Sequence, residues 1–232
     1  MRQGTDTMNI QDYGSGNVVR FPEETPPAIK EKCQITFKGA NNKIVFGEGV
    51  TGKRLLVDVN GDNNKILIGK ACVLNGAISM KGDNNTVSIG KFTTMVSARI
   101  ECEHGTAITL GVDCMLSKDI VIRSGDSHSI IDLKTGERIN YSASVEIGDH
   151  VWIGYGVSIG KGAVVQRNTI IGTGSFVNKN ITEGNVILAG TPAKVVKRDV
   201  IWDRRYLTGP IPASHLEALK ARFMFDESQR IG

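Results

Sequence analysis

Residues 145–186 read VEIGDH, VWIGYG, VSIGKG, AVVQRN, TIIGTG, SFVNKN and ITEGNV, seven consecutive units of six residues. The first position of every unit is small or β-branched, and the third position is aliphatic in the first six units. Because side chains alternate between the two faces of a strand, both positions point to one side. The fourth and sixth positions favour Gly and Asn, which tolerate the positive φ of tight corners. The repeat therefore predicts short strands joined by corners, with three units forming each triangular coil of a β-solenoid.

A second repeat with a longer period lies upstream. Its units NNKIVFG, NNKILIG, NNTVSIG and GTAITLG end in glycines that are 22, 21 and 21 residues apart, at Gly47, Gly69, Gly90 and Gly111. This spacing is that of the same coil with a few extra corner residues. The asparagines that recur with it are predicted to form a side-chain amide ladder at one corner: Asn42, Asn64 and Asn85.

The two repeats together predict a solenoid domain over residues 34–196. Residues 1–33 are polar and contain three prolines, so we expect them to form an N-terminal arm. Residues 197–232 form a C-terminal extension, in which ASHLEALKARFMF (residues 213–225) has apolar residues at helical spacing. This segment is expected to be a helix that caps or flanks the end of the solenoid.

Composition places the chain among soluble proteins of one domain. It has 232 residues and a formal net charge of +4, without an apolar stretch of the ~18–20 residues that a membrane span needs. The N-terminus lacks the apolar centre of a secretory signal, so a cytoplasmic protein is expected. Lys and Arg are spread along the chain, which argues against a nucleic-acid groove. The four cysteines lack CxxC spacing and are expected to be reduced and packed.

The periodicity stops at residues 123–144, where RSGDSHSIIDLKTGERINYSAS departs from the coil pattern. An insertion of this kind is a loop on one face of a solenoid, often the binding face. It carries His128, and an imidazole can act as a general base near neutral pH. Asp126 has two interpretations, since its carboxylate can orient the His128 ring or fix the loop by hydrogen bonding to backbone. His150 is expected at the surface or along a cleft rather than as the base.

Four segments together resemble a known family, the hexapeptide-repeat acyltransferases. They are DSHSIID with TGERIN (residues 126–140), IGDHVWIG (147–154), IIGTGSFV (170–177) and AGTPAKVVK (189–197). The loop is most similar to that of sugar and capsular-polysaccharide O-acetyltransferases. The resemblance implies an all-β solenoid, a left-handed parallel β-helix with a projecting loop and a short C-terminal α-helix.

The resemblance also implies a mechanism. In that family a loop histidine deprotonates the acceptor hydroxyl, which attacks the thioester of acetyl-CoA directly, and His128 matches that histidine. The chain has no GxSxG motif, in keeping with direct attack. A backbone N–H or the indole N–H of Trp152 is expected to stabilise the tetrahedral intermediate. Family members are homotrimers with active sites between neighbouring solenoids, so a second copy of the chain is an expected partner.

Trp152 is also expected to point outward, because its neighbours in the hexad point inward. Ile170 and Leu188 would continue an outward apolar column beside it. The residues whose positions in the family motifs correspond to CoA contacts are Trp152, Tyr155, Thr173, Asn178, Lys179, Lys194 and Lys197. Of these, Lys194 and Lys197 are the candidates for the CoA phosphates.

Several alternatives remain open at this point. The acceptor is expected to be a sugar hydroxyl in a polysaccharide or glycan precursor, of a capsule for example. An amino group on a nucleotide-linked sugar and an antibiotic are the other acceptors considered. Solenoids of this type also include zinc carbonic anhydrases, but His104, His128 and His150 lack the close histidine pair of that family, so no metal is expected. A scaffold without activity would leave the loop and Trp152 without a role.

Overall fold

The computed structural model describes residues 8–22 and 26–224, and the expectations that concern other residues lie outside it. The chain winds through three sheets, passing from sheet I to sheet II to sheet III in each full turn. Sheets I and II each contain eight strands, so the domain is a parallel β-solenoid of about eight turns, as predicted. One antiparallel pair closes sheet III at its C-terminal edge.

The strands of sheet I, in spatial order, are β1 (Met8–Asp12), β3 (Ala28–Phe37), β5 (Thr51–Asn60), β7 (Gly76–Lys81), β10 (Ala98–Glu103), β13 (Ile120–Arg123), β16 (Ser158–Ile159) and β19 (Phe176–Val177). Those of sheet II are β2 (Val18–Arg20), β4 (Lys43–Phe46), β6 (Lys65–Ile68), β8 (Thr86–Ile89), β11 (Ala107–Leu110), β14 (Val145–Ile147), β17 (Val164–Val165) and β20 (Asn180–Ile181). Those of sheet III are β9 (Thr94–Met95), β12 (Met115–Leu116), β15 (Trp152–Ile153), β18 (Ile170–Ile171), β21 (Ile187–Gly190) and β22 (Ala193–Lys197). In the N-terminal turns sheet III is reduced to single bridges that join Thr51, Val73 and Thr94.

The predicted aliphatic columns fill the solenoid. The third-position residues of the hexads are at most 2% exposed: Ile147, Ile153, Ile159, Val165, Ile171 and Val177. The first-position residues are buried as well, from Val145 to Ile181. Each aliphatic side chain removed from water in this way contributes about 1.5–3 kcal/mol relative to leaving it exposed. The inward columns are therefore the main source of stability of the hexapeptide turns, residues 145–186.

The two corner positions of the hexad have different roles. Five of the seven sixth positions have positive φ, as at Gly156 (66°), Asn168 (52°) and His150 (53°). The fourth positions instead allow the next turn to approach, because a Cβ at Gly148 would lie 2.6 Å from the backbone N of Arg167. The expectation that both positions serve positive φ is thus correct only for the sixth.

The asparagine ladder forms as predicted. Asn64 and Asn85 are at most 1% exposed, and the backbone N–H of Asn64 donates to Asn42 Oδ1 at 2.8 Å. The amide of Asn85 donates to Asn64 Oδ1 at 2.9 Å. The ladder begins one turn earlier than expected, because Asn42 Nδ2 donates to Asn17 Oδ1 at 2.9 Å. Each amide oxygen accepts a backbone N–H of the next turn, which would otherwise be a buried unpaired donor, although the described residues give Asn64 Nδ2 no partner.

The N-terminal boundary is the part of the domain prediction that was wrong. Strands β1, β2 and β3 all begin before residue 34, and β1 pairs in register with β3, with Met8 opposite Cys33. The described residues of the expected arm are therefore turns of the solenoid. Polar outward side chains, as in β1, made these turns hard to recognise in the sequence. Gly14 and Asn17 nevertheless repeat the G-x-x-N corner found at Gly39 and Asn42.

The predicted helix forms at the C-terminus as α1 (Ala213–Phe223). It flanks a corner of the hexapeptide turns, where the Phe223 ring stacks on His150 with the centroids 3.6 Å apart. All four cysteines are buried and free, as expected. Burial raises the pKa of the Cys33 thiol to about 11.

Candidate active site

The projecting loop, residues 123–144, leaves sheet I after β13 and enters sheet II at β14. It folds as a short hairpin in which the backbone N–H of Ile139 donates to Ile130 O at 2.9 Å. Asn140 closes its base, since Asn140 Oδ1 accepts from the N–H of Ile130 at 2.7 Å and Asn140 Nδ2 donates to His128 O at 2.8 Å. The loop is thus held in one conformation by its own polar groups.

The Asp126 carboxylate fixes the loop rather than the histidine ring. Within the described part of the chain, Asp126 Oδ2 accepts from Lys161 Nζ at 2.5 Å and from Asn140 Nδ2 at 2.9 Å. The hydrogen bond from Lys161 is the main reason that the pKa of Asp126 is lowered. The hydrogen bonds described for Asp126 do not reach the His128 ring, and the carboxylate fixes the loop through the side chains of Lys161 and Asn140 rather than through the backbone groups that its other interpretation expected.

A buried carboxylate that sequence reasoning missed holds the residue before His128. Glu103 is 5% exposed, and it accepts from Ser127 Oγ at 2.7 Å and from the Ser127 backbone N–H at 3.2 Å. Ser127 has φ of 62°, a conformation that costs a non-glycine residue free energy. Gly125 permits the close approach, because a Cβ there would lie 2.5 Å from Glu103 Oε2. Glu103 thus fixes the backbone from which the exposed His128 side chain extends.

Trp152 lies on the outer face of sheet III, 39% exposed, as predicted. Its strand neighbours in register are Met115 on one side and Ile170 on the other. The next residue of this outward row is Ile187, so the expected Leu188 was wrong. The last turn is one residue shorter than eighteen, and Leu188 is consequently turned inward and fully buried.

The predicted CoA residues divide between two corners of the solenoid. Tyr155 and Thr173 follow β15 and β18, at the corner between sheets III and I, where the N–H of Gly174 donates to Tyr155 O at 2.8 Å. The Asp119 carboxylate accepts a hydrogen bond from the Tyr155 hydroxyl and raises the pKa of that group. Asn178, by contrast, follows β19 at the corner between sheets I and II.

Lys179 lies next to Asn178, at the same corner as the loop that carries His128. Lys194 and Lys197 are exposed on β22, and Lys197 continues the row of Trp152 through its pairing with Ile187. Three strand spacings separate Lys197 from Trp152, or about 14 Å. The corner near Trp152 precedes the strands of sheet I, and the corner with the loop follows them. Within one chain, the two corners thus lie at opposite ends of these strands.

His150 is buried, which corrects the expectation of a surface residue. It is 2% exposed and stacks between the rings of Trp202 and Phe223, with centroid distances of 4.0 Å and 3.6 Å. Its Nδ1 lies 3.2 Å from Asp113 Oδ2, and its Nε2 lies 3.1 Å from Trp202 O. Burial alone would raise the pKa of Asp113, but the hydrogen bonds from His150 and Arg204 lower it. The C-terminal segment is thereby anchored to the corner that precedes Trp152.

Comparison with known proteins links these features to an enzyme family. A family model described as bacterial transferase hexapeptide, six repeats, matches residues 144–179. Over 206 residues the chain is 33% identical to a polysialic acid O-acetyltransferase of Neisseria meningitidis, and the match covers 86% of this chain and 91% of that protein. The chain belongs to the hexapeptide-repeat transferase family. As a member of this family it is an acyltransferase.

Solved structures agree with this membership of the hexapeptide-repeat family over nearly the whole chain. The crystal structure of the polySia-specific acetyltransferase NeuO has a TM-score of 0.77 at 33% identity, covering 87% of this chain and 91% of that one. The structure of the polysialic acid O-acetyltransferase OatWY has a TM-score of 0.82 at 28% identity, covering 91% and 99%. The likeness includes the N-terminal turns that the six-residue repeat does not reach.

None of the helices in residues 8–22 and 26–224 combines the length and apolar character required to cross a membrane. Over the same ranges, no three His, Cys, Asp or Glu side chains converge as metal ligands would. His150 in particular has both ring nitrogens next to Asp113 and Trp202.

Proposed function

We propose that the chain transfers the acetyl group of acetyl-CoA to a hydroxyl of a sugar in a polysaccharide or glycan precursor. The observation that carries the proposal is the 33% identity to a polysialic acid O-acetyltransferase over 91% of that protein's length. His128 adds independent support, because it is an exposed histidine on a loop whose backbone is fixed by hydrogen bonds to Glu103. The protein is taken to be cytoplasmic, where acetyl-CoA is made.

His128 is the general base in this proposal. An unprotonated ring nitrogen takes the proton of the acceptor hydroxyl as its oxygen attacks the thioester carbonyl carbon, and a positioned base of this kind contributes ~10²- to 10⁴-fold. The carbon–sulfur bond then breaks, and the departing thiolate takes the proton from the protonated His128, which gives free CoA and the neutral imidazole. The hydrogen bonds that Ser127 makes to Glu103 fix the backbone before His128, which preserves the position that the reaction needs.

The acetyl-CoA site in the proposal combines both corners of sheet I. Trp152, Tyr155 and Thr173 form one wall, with the Trp152 indole or a backbone N–H as donor to the tetrahedral oxyanion. The exposed amines of Lys194 and Lys197 bind the phosphates, and Asn178 and Lys179 belong to the loop corner. Because one chain places these corners at opposite ends of the strands of sheet I, we propose that each active site lies between two neighbouring subunits of the homotrimer that the family resemblance implies.

The test is the His128→Ala variant, assayed with acetyl-CoA and a polysaccharide acceptor by release of free thiol. We expect kcat to fall at least about 10²-fold while calorimetric affinity for acetyl-CoA stays unchanged. His215→Ala is the control, because His215 lies on α1 with its Nε2 2.6 Å from Asp203 Oδ2, and it belongs neither to the loop nor to its corner. Turnover of His128→Ala within a few-fold of wild type would remove His128 from the mechanism.

A further inference from the structure

A second concave surface lies along the corner between sheets III and I, in the N-terminal turns. Its volume is about 710 Å³, and it passes over the starts of β5, β7, β10 and β13. The lining residues include Lys53, Arg54, Asn75, Val96, Arg99 and Asp119. We call this surface the corner groove.

Cations dominate the corner groove. Among the described residues, the exposed side chains of Lys53 and Arg54 have no ion-pair partner. Arg99 pairs with Glu101 at 2.8 Å but is still 60% exposed. The acid that lines the groove, Asp119, is engaged at its far end with the Tyr155 hydroxyl. Lys53 and Arg54 therefore offer positive charge that no ion pair of the described residues neutralises.

The corner groove reaches the turn of the candidate active site at Asp119, where the neighbouring Lys118 O accepts from the N–H of Gly156 at 3.0 Å. Asp119 belongs to both, since it lines the groove and contacts Tyr155. Along sheet III the row that starts at Thr51 runs through Val73, Thr94 and Met115 to Trp152. Four strand spacings separate the first of these residues from the last, which corresponds to about 19 Å.

We propose that the corner groove binds the part of an anionic polysaccharide that extends away from the sugar being acetylated. This inference rests on the proposed function and assigns a charge and a length to its acceptor. Lys53 and Arg54 would pair with carboxylate or phosphate groups of the polymer, and the guanidinium offers paired donors that match such groups. Because these cations lie about 19 Å from the turn of Trp152, a single sugar at the reacting position cannot contact them. Only a chain of several sugars reaches both.

The experiment compares Lys53→Ala/Arg54→Ala with the control Lys43→Ala/Lys65→Ala, which removes the same charge from paired positions on sheet II. Binding is measured calorimetrically at low salt with polysialic acid, with hyaluronan as a second anionic polymer and with neutral dextran. We expect at least tenfold weaker binding of an anionic polymer in the groove variant, a smaller salt dependence, and no change in the control. In turnover, KM for the polymer should rise while KM for acetyl-CoA and for a di- or trisaccharide acceptor stays constant.

Several results would overturn the corner groove proposal. They are equal affinity of wild type and groove variant for the anionic polymers, absence of binding to both, or equal binding of dextran. Failure of the proposed acetyltransferase function would give a different result in the same experiments. Wild-type protein would then bind an anionic polymer through Lys53 and Arg54 yet release no CoA in its presence.

Discussion

The carboxylate of Asp126 joins the projecting loop to the turn that follows it. Lys161, at the corner after β16, donates to it from 35 residues away in sequence. This hydrogen bond lowers the pKa of Asp126, so the ionised form is favoured by the folded loop. The stability that this interaction contributes is fully present above the ordinary aspartate pKa of about 3.9, and it is lost as the pH falls through the lowered pKa of Asp126.

Replacing Lys161 with Ala is therefore expected to raise the pKa of Asp126 towards about 3.9 and to loosen the loop at a higher pH than in wild type. The carboxyl carbon of Asp126, followed by NMR between pH 2 and 7, measures the first effect. Protease cleavage of the loop at the same pH values measures the second. Lys134→Ala removes a lysine from the same loop and should change neither. An unchanged Asp126 titration in Lys161→Ala would show that another group holds this carboxylate.

At the scale of elements, the sequence was sufficient to predict the strands and their buried side chains wherever one residue type repeats at a fixed interval. Ile153 and Ile171 are eighteen residues, or one coil, apart in sequence, and they lie opposite each other in neighbouring strands. The core of the hexapeptide turns could therefore be predicted from the repeat. The turns before residue 34 could not be recognised in this way, because strands such as β1 present polar outward residues. The G-x-x-N corner at Gly14 and Asn17 was the signal available there.

The site was predictable only in part for a related reason. The loop with His128 interrupts the repeat, and Trp152 occupies an outward position of a hexad, so both could be found from spacing. Glu103 lies 24 residues before Ser127, and Lys161 lies 35 residues after Asp126. These partners meet only because the chain has coiled once or more between them. No local pattern in the sequence marks such a contact.

The C-terminal segment and the corner at His150 form one packed element. The imidazole fills the space between the Trp202 and Phe223 rings, and the Trp202 indole N–H donates to His150 O at 2.9 Å. The Trp202 ring in turn lies 6.0 Å from that of Trp152, so docking of this segment supports the candidate acetyl-CoA wall.

His150→Ala should destabilise the protein by about 3 kcal/mol, because it leaves a cavity between two rings and removes a hydrogen-bond partner of the buried Asp113. The corresponding drop in Tm is roughly 6–12 °C for a chain of this size. His104→Ala is the matched control, since His104 has nearly the same positive φ, 55° against 53°, but an exposed side chain. The difference in Tm between the two variants isolates the packing of the ring. If both variants melt at the same temperature, the stacked arrangement contributes nothing measurable.

At the scale of the molecule, sheet I separates the two groups of candidate catalytic residues. The loop with His128 projects from one end of its strands, and Trp152 with Tyr155 lies by the other. The turns of a solenoid are rigid because their strands pair with those of the neighbouring turns. The two corners at the ends of the sheet I strands therefore keep their separation. The proposed reaction needs His128 and the acetyl-CoA wall at one place. We therefore propose that a neighbouring subunit supplies one of them.

This requirement predicts that two inactive variants restore each other. His128→Ala and Trp152→Ala, each expected to be inactive alone, are mixed, dissociated and reassembled. In a site between subunits, the intact loop of a Trp152→Ala chain can face the intact wall of a His128→Ala chain. Random mixing in equal amounts makes one site in four of this kind, so activity should recover to roughly a quarter of wild type. If each chain instead held a complete site, every site in the mixture would carry one of the two substitutions. Mixing would then recover no activity, and the proposal of sites shared between subunits would be wrong.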